Sequence, residues 1–401
     1  MPKKNKVQLD VALKACINPN VLKWARDSIG LYPSDVIKKL GRKTITEENL
    51  IDWEKGRDYP TVHIAKILAK MYGIKFIALY LQDIPKNIKP LKDFRVSNPN
   101  FFSRNFVFLM REIQGKQEWL KEYLTSKGTK PLNFVNSIGL NDGVKKAVQS
   151  INDLLLSENR LKPKAEESLK FLVEKIESLG IFVSIGNSFN GHYLYAVESS
   201  EARGFAIADK IAPFIFINSK DSKKAQLFTL IHEFCHLLLG ESGVSDVSNR
   251  NNKPTEVFCN KATAEFLMPA DKFMEVWNDA TTDGLNERIK KLKDTFPAST
   301  LSIIIKIYEL KLIDKAIFDK EYRNCKNDYA KFVSTGTQKQ NKTFFANPYI
   351  RTLKINGRQF IGIVKEACNR NEIMIRNACS LLGIAKVMKF DTYERKWDKY
   401  L

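Results

Sequence analysis

Apolar residues recur at spacings of three and four at Val21, Leu22, Ala25 and Ile29, then at Val36, Ile37 and Leu40, then at Ile64, Leu68 and Met71. That period is helical, so residues 20–82 predict a string of short helices. Ser34 is placed to cap one of them, and Thr44 or Thr46 another, ahead of Glu47 and Glu48. Pro85, Pro90 and Pro99 follow and mark a linker. A long helix is predicted from about Arg104 to Tyr123, then a break at Gly128 and Pro131, then helix again over 141–178. The pattern changes at IFVSI (181–185), HYLYAV (192–197), GFAIAD (204–209) and PFIFIN (213–218). These segments are rich in β-branched and aromatic residues, are bounded by Gly, Asn and Pro, and predict a small sheet. Helical periodicity returns over 222–240, 254–268 and 270–318. A basic tail from about 320 carries a loop through Gln338–Lys342 and a last helical pair near 357–385.

A chain of 401 residues exceeds one ordinary core and predicts two to three domains. With 44% hydrophobic and 27% charged residues it has the composition of a soluble globular protein. No apolar run reaches the ~18 residues of a membrane span. The N-terminus, MPKKNKVQLD, lacks the apolar stretch of a signal peptide, so a cytoplasmic location without membrane contact is expected. The six cysteines form no CxxC pair and read as reduced core thiols. A net charge of +20 points to a polyanionic partner, most simply nucleic acid, although an excess of Lys also serves solubility.

The chemistry concentrates at His232-Glu233-Phe234-Cys235-His236, an HExxH pattern holding two of only four histidines. Positions four apart share a helix face, so both imidazoles can reach one metal ion. Glu233 between them is placed as general base toward a metal-activated water. Such a Zn2+ site needs a third protein ligand. Glu256, twenty positions past His236 at the start of EVFCNKATAEFLMP, is the leading candidate, with Asp246 as an alternative from the loop. Asn260, one turn beyond Glu256, could orient His232 or His236. Glu265 lies about 180° around the same helix and is expected to face elsewhere. Cys235 points off the metal face, and Cys259 reads as a small packing residue. His192, Tyr193 and Tyr195 fall in a predicted strand; one of them could stabilise an oxyanion, or all could be structural. His63 reads as structural.

The stretch RGFAIADKIAPFIFINSKDSKKAQLFTLIHEFCHLLLGESGVSD, followed by CNKATAEFLMP, closely resembles the ImmA/IrrE metallopeptidases. The resemblance implies zinc held by His232, His236 and Glu256, with Glu233 as the base. KQEWLKEYL and the segment from AKFVSTGTQ to ACSLLGI resemble the helical flanks of longer family members more weakly. Trp53-Glu54-Lys55-Gly56 with Pro60-Thr61 resembles the end of a Cro-type helix-turn-helix domain, where the Trp-Glu segment ends the fourth helix region and Pro-Thr starts the last helix. Lys38, Lys39, Arg42 and Lys43 are its candidates for gripping a DNA backbone. Its reading segment, TITEENLIDWEKG, carries Glu47, Glu48 and Asp52, which phosphates would repel, so a protein-contact role stays open. IMIRNACSLLGI also has a helix-turn-helix flavour but reads as a plain helical pair.

The expected fold class is therefore α+β and mostly helical. Residues 1–97 form a helix-turn-helix bundle, 98–180 a helical linker region, 181–319 a zincin-like domain with a small sheet and the HExxH helix, and 320–401 a basic C-terminal helical region. The expected function is a zinc endopeptidase coupled to binding of double-stranded DNA, and the ImmA/IrrE resemblance implies that it cleaves a transcriptional repressor or similar regulator. The alternative is a non-enzymatic regulator or antitoxin-like component that uses the zinc fold for partner binding. PFIFIN would be the sheet edge to which an extended substrate adds as a strand.

Overall fold

The computed structural model describes residues 13–42, 44–84, 92–93, 103–156, 161–188, 196–244, 253–279, 284–327 and 347–399. The chain divides into two compact units, one of residues 1–90 with 100–114, the other of 91–99 with 115–401.

The first unit holds α1 (Pro19–Asp27), α2 (Pro33–Leu40), α3 (Glu47–Glu54) and α4 (Val62–Tyr72), then a 3-10 turn at Phe76–Tyr80. Each start has a local cause. Asn18 caps α1, Thr46 caps α3 and Thr61 caps α4, each accepting a backbone N–H of the first turn. Ser34 is not a cap. α2 begins at Pro33, and Asp35 reaches back to accept the Tyr32 N–H at 3.1 Å. Trp53 and Glu54 close the third helix, not a fourth. A bidentate pair joins α1 to α3, with Arg26 Nε and Nη2 at 2.7 and 2.9 Å from the two Glu54 oxygens. Both side chains are buried, where an unpaired charge would be costly.

α5 (Arg104–Ser126) is shared, with residues up to Gln114 in the first unit and the rest in the second. The second unit continues with α6 (Gly143–Leu155) and α7 (Ala165–Ser178), so the predicted helix over 141–178 is two. Its sheet contains β1 (Lys92–Asp93), β2 (Phe182–Gly186), β3 (Gly204–Ile207), β4 (Phe214–Asn218) and β5 (Gly243–Val244), in the order β1-β5-β3-β4-β2. β2 runs parallel to β4, and β3 runs antiparallel to both β4 and β5. The PFIFIN strand is therefore interior. β4 is paired on both sides and buried along its length, so it offers no edge to a substrate. The continuous apolar run FIFI is what a strand covered on both faces requires. Of HYLYAV, residues 192–195 lie outside the described residues, and Ala196 makes an isolated bridge to Ser188. The loop at Gln338–Lys342 also lies outside them.

α8 (Lys223–Leu239) packs against β3, β4 and α7, and α9 (Pro254–Leu267) packs against α8 and α6. The region 270–318 holds α10 (Ala270–Asn278), α11 (Leu285–Thr295) and α12 (Thr300–Glu309), followed by α13 (315–327). The C-terminal part is α14 (Pro348–Asn356), α15 (Arg358–Asn369), α16 (Ile375–Leu382) and α17 (Phe390–Trp397). α14 covers β2 on the side away from β4, where Ser184 Oγ donates to the Ile355 carbonyl at 2.6 Å. No described helix is long and apolar enough to cross a membrane.

Candidate metal centre

α8 is apolar nearly all round, as a helix in the middle of a core must be. Ser222 caps its start and Gly240, with φ +71°, ends it. Into this apolar helix the sequence inserts Thr229, His232, Glu233 and His236, all buried. Burying such groups without partners would be costly, so their surroundings are informative.

The partners come from α9. Pro254 opens that helix, and Glu256 sits in its first turn with no exposed surface. His232 Nε2 lies 3.1 Å from His236 Nε2 and 3.3 Å from Glu256 Oε2, and His236 Nε2 lies 3.1 Å from Glu256 Oε1. Three electron-pair donors thus surround one point. Ligands about 2.05 Å from a tetrahedral zinc ion would stand about 3.3 Å apart, which these edges match. His232, His236 and Glu256 form a group able to hold a metal ion. Burial pushes the His232 imidazole below its ordinary value, against the pull of Glu256. Burial alone would raise the Glu256 carboxyl, but the hydrogen bonds and charges of the two histidines bring it down to about 2. Neutral imidazole beside ionised carboxylate is the form that binds a dication.

Asn260 follows Glu256 by one turn and lies near enough to His232 to favour its protonated form. Its Oδ1 makes no hydrogen bond of ordinary geometry, and neither does His232 Nδ1. The pair is poised for the N–H to carboxamide contact that orients metal-bound histidines. Thr263 lies one turn further on, buried, its Oγ1 without a partner among the described residues. Glu256, Asn260 and Thr263 make a polar stripe at i, i+4 and i+7. That spacing stands in the sequence, but a Thr inside a helix carries no signal of its own.

Glu265 faces elsewhere. It accepts the Ala270 N–H at 2.9 Å and pairs with Lys306. Cys235 and Cys259 are buried against each other, and burial followed by their mutual hydrogen bond holds the Cys259 thiol well above its ordinary value. Protonated thiols are poor metal ligands. Lys38, Lys39 and Arg42 are exposed at and just beyond the end of α2. Arg42 Nη2 contacts Nε2 of His63 at 2.9 Å, so His63 belongs to the surface and not to the core. Glu47 and Glu48 are exposed on α3 and Asp52 is half-buried. His192, Tyr193, Tyr195, Asp246 and Lys43 lie outside the described residues.

Sequence reasoning also missed Gly204. A β-carbon there would fall 3.1 Å from Glu233 Oε1, 2.5 Å from Thr229 Cγ2 and 2.8 Å from the Phe216 carbonyl. β3 therefore lies directly against the Glu233 side of α8, and only glycine permits that approach.

Residues 178–308 match the family model described as the IrrE N-terminal-like domain, Peptidase_M78. The match supports the ImmA/IrrE family for this region and points to metallopeptidase activity and a bound metal. It spans the sheet, α8 and α9, and so includes the His-His-Glu group. Among curated proteins, none matches the chain.

Proposed function

We infer that this protein is a zinc-dependent endopeptidase acting on another protein, a transcriptional repressor or similar regulator, and that its N-terminal unit contacts double-stranded DNA. The observation that carries the peptidase reading is the convergence of His232, His236 and Glu256 at a buried point, with Glu233 on the same turn of α8. In this reading His232 and His236 act as neutral ligands, and Glu256 supplies the single negative charge. Zinc held there would polarise the scissile carbonyl as a Lewis acid. Glu233 takes the proton of the attacking water and returns it to the leaving amine. Asn260 holds the His232 ring in register. Lys38, Lys39 and Arg42 supply phosphate contacts.

A protein-contact role for the N-terminal unit is a second reading, favoured by the exposed Glu47 and Glu48 on α3.

Elemental analysis of protein purified without added metal should find one zinc per chain, lost in His236→Ala. Full zinc occupancy in that variant would overturn the ligand set. Glu233→Gln should keep zinc and fold while cleavage of a co-expressed target repressor slows by roughly 10²–10⁴.

A further inference from the structure

α15 and α16 form a helix pair joined by a short turn at 370–374, in which Asn371 adopts φ +58°. α16 buries Ala378, Cys379 and Leu382 on one side. Its other side exposes Arg376, Asn377 and Ser380. Between Glu372 and Asp391 there is no acidic residue, while Arg376, Lys386 and Lys389 are all exposed. None of these three cationic side chains makes an ion pair or hydrogen bond with a described residue. The nearest acid before them, Glu372, is taken up by Lys127 and by Tyr123 Oη at 2.7 Å. Met374 and Met388 flank the same stretch at 76% and 93% exposure.

We propose that this surface is a contact site for double-stranded DNA, with α16 as the helix that enters the major groove. It is separate from the N-terminal unit and independent of the metal centre. Eight residues make a helix about 12 Å long, a size the major groove admits. Arg376 and Asn377 bear the side chains suited to guanine and adenine edges, and Ser380 adds a hydroxyl. Lys386 and Lys389, beyond the helix end, reach phosphates. The contrast with α3 decides the assignment. That helix exposes Glu47 and Glu48 where α16 exposes Arg376 and Asn377. The excess of positive charge favours a polyanion over a neutral protein groove, and the donor-bearing face favours base edges over lipid headgroups.

The test uses the full chain and a fluorescent duplex of roughly 30 base pairs, titrated at several salt concentrations. Replacing Arg376, Lys386 and Lys389 together by Ala should weaken binding about tenfold or more at physiological salt and reduce the salt slope by about 1.8, the value for the two lost lysine–phosphate contacts. Ser380→Glu, which puts a negative charge on the same face, should weaken binding without removing a cation. Both variants should keep the wild-type zinc content and melting temperature, which separates this proposal from the metal centre. Wild-type affinity and slope in the triple variant would overturn it. So would loss of binding only when Lys38, Lys39 and Arg42 are replaced by Ala. Loss of binding to phosphatidylglycerol vesicles with duplex binding unchanged would also overturn it and make the surface a lipid one.

Discussion

Gly204 is where a single hydrogen in place of a side chain decides whether the proposed base can sit against the sheet. Adding a methyl group would press on the Phe216 carbonyl, which is backbone, and on Thr229, which is β-branched and stiff. Overpacking of this kind costs typically about 1–3 kcal/mol and shifts the neighbours. Gly204→Ala should therefore lower the melting temperature and slow cleavage while zinc content stays at the wild-type level, because the His-His-Glu group is built by other residues. Wild-type melting and activity would show that β3 has room to retreat. At this scale the histidines and Glu233 were legible, because i, i+4 spacing on a helix fixes a shared face. Gly204 was not, because its partner stands 29 residues away on another element and a glycine at the start of a strand has many ordinary reasons to exist.

Among the elements, α7 and α15 meet through one carboxylate. Glu177, buried at the end of α7, accepts the Arg358 N–H at 3.0 Å and that of Gln359, at the start of α15. Gly357 makes room for it, since a β-carbon there would stand 2.6 Å from both Glu177 Oε1 and the Val183 carbonyl. Burial outweighs these two N–H groups and raises the Glu177 carboxyl from 4.5 to about 7. A group whose value is raised by folding favours the folded state in its protonated form. Its contribution is full below about pH 4.5 and is lost as pH rises through about 7. The rise corresponds to on the order of 3 kcal/mol. Thermal melts should thus show declining stability between about pH 4.5 and pH 7, and Glu177→Gln, which keeps an acceptor without the charge, should flatten that decline. An identical pH profile in the variant would refute the assignment. Strand identity was legible for β2, β3 and β4 from their β-branched and aromatic runs. The place of β4 inside the sheet was not, because a run such as PFIFIN states that both faces are buried and leaves its neighbours unspecified.

For the whole molecule, the charge, the division into two units and the metal bear on one another. Both proposed ligand helices, α8 and α9, belong to the second unit, so metal should stabilise that unit alone. Without a cation, the Glu256 carboxylate and the two imidazoles would lose the metal bonds that offset their burial. Calorimetry after removing zinc with a chelator should show one transition moving down by several degrees while the transition of the N-terminal unit stays in place, and added zinc should restore it. A chelated sample that melts like the untreated protein would mean that no metal contributes to folding.

Local sequence is enough to read the helical character of most of the chain, the strands β2, β3 and β4, and the shared helix face of His232 and His236 with Glu233 between them. These follow from local periodicity, which the backbone geometry of one element dictates. It also carried Glu256 and Asn260 as candidates, since a polar stripe on an apolar helix has a face. Tertiary structure alone decided that Glu256 meets the two imidazoles at about 3 Å, and that Glu265 turns to Lys306. It also decided that α14 packs against β2 and that Arg376 of α16 lies exposed. Contacts between elements depend on how far each helix rotates and slides in packing, and that is set by all the side chains of the core together, not by any one segment.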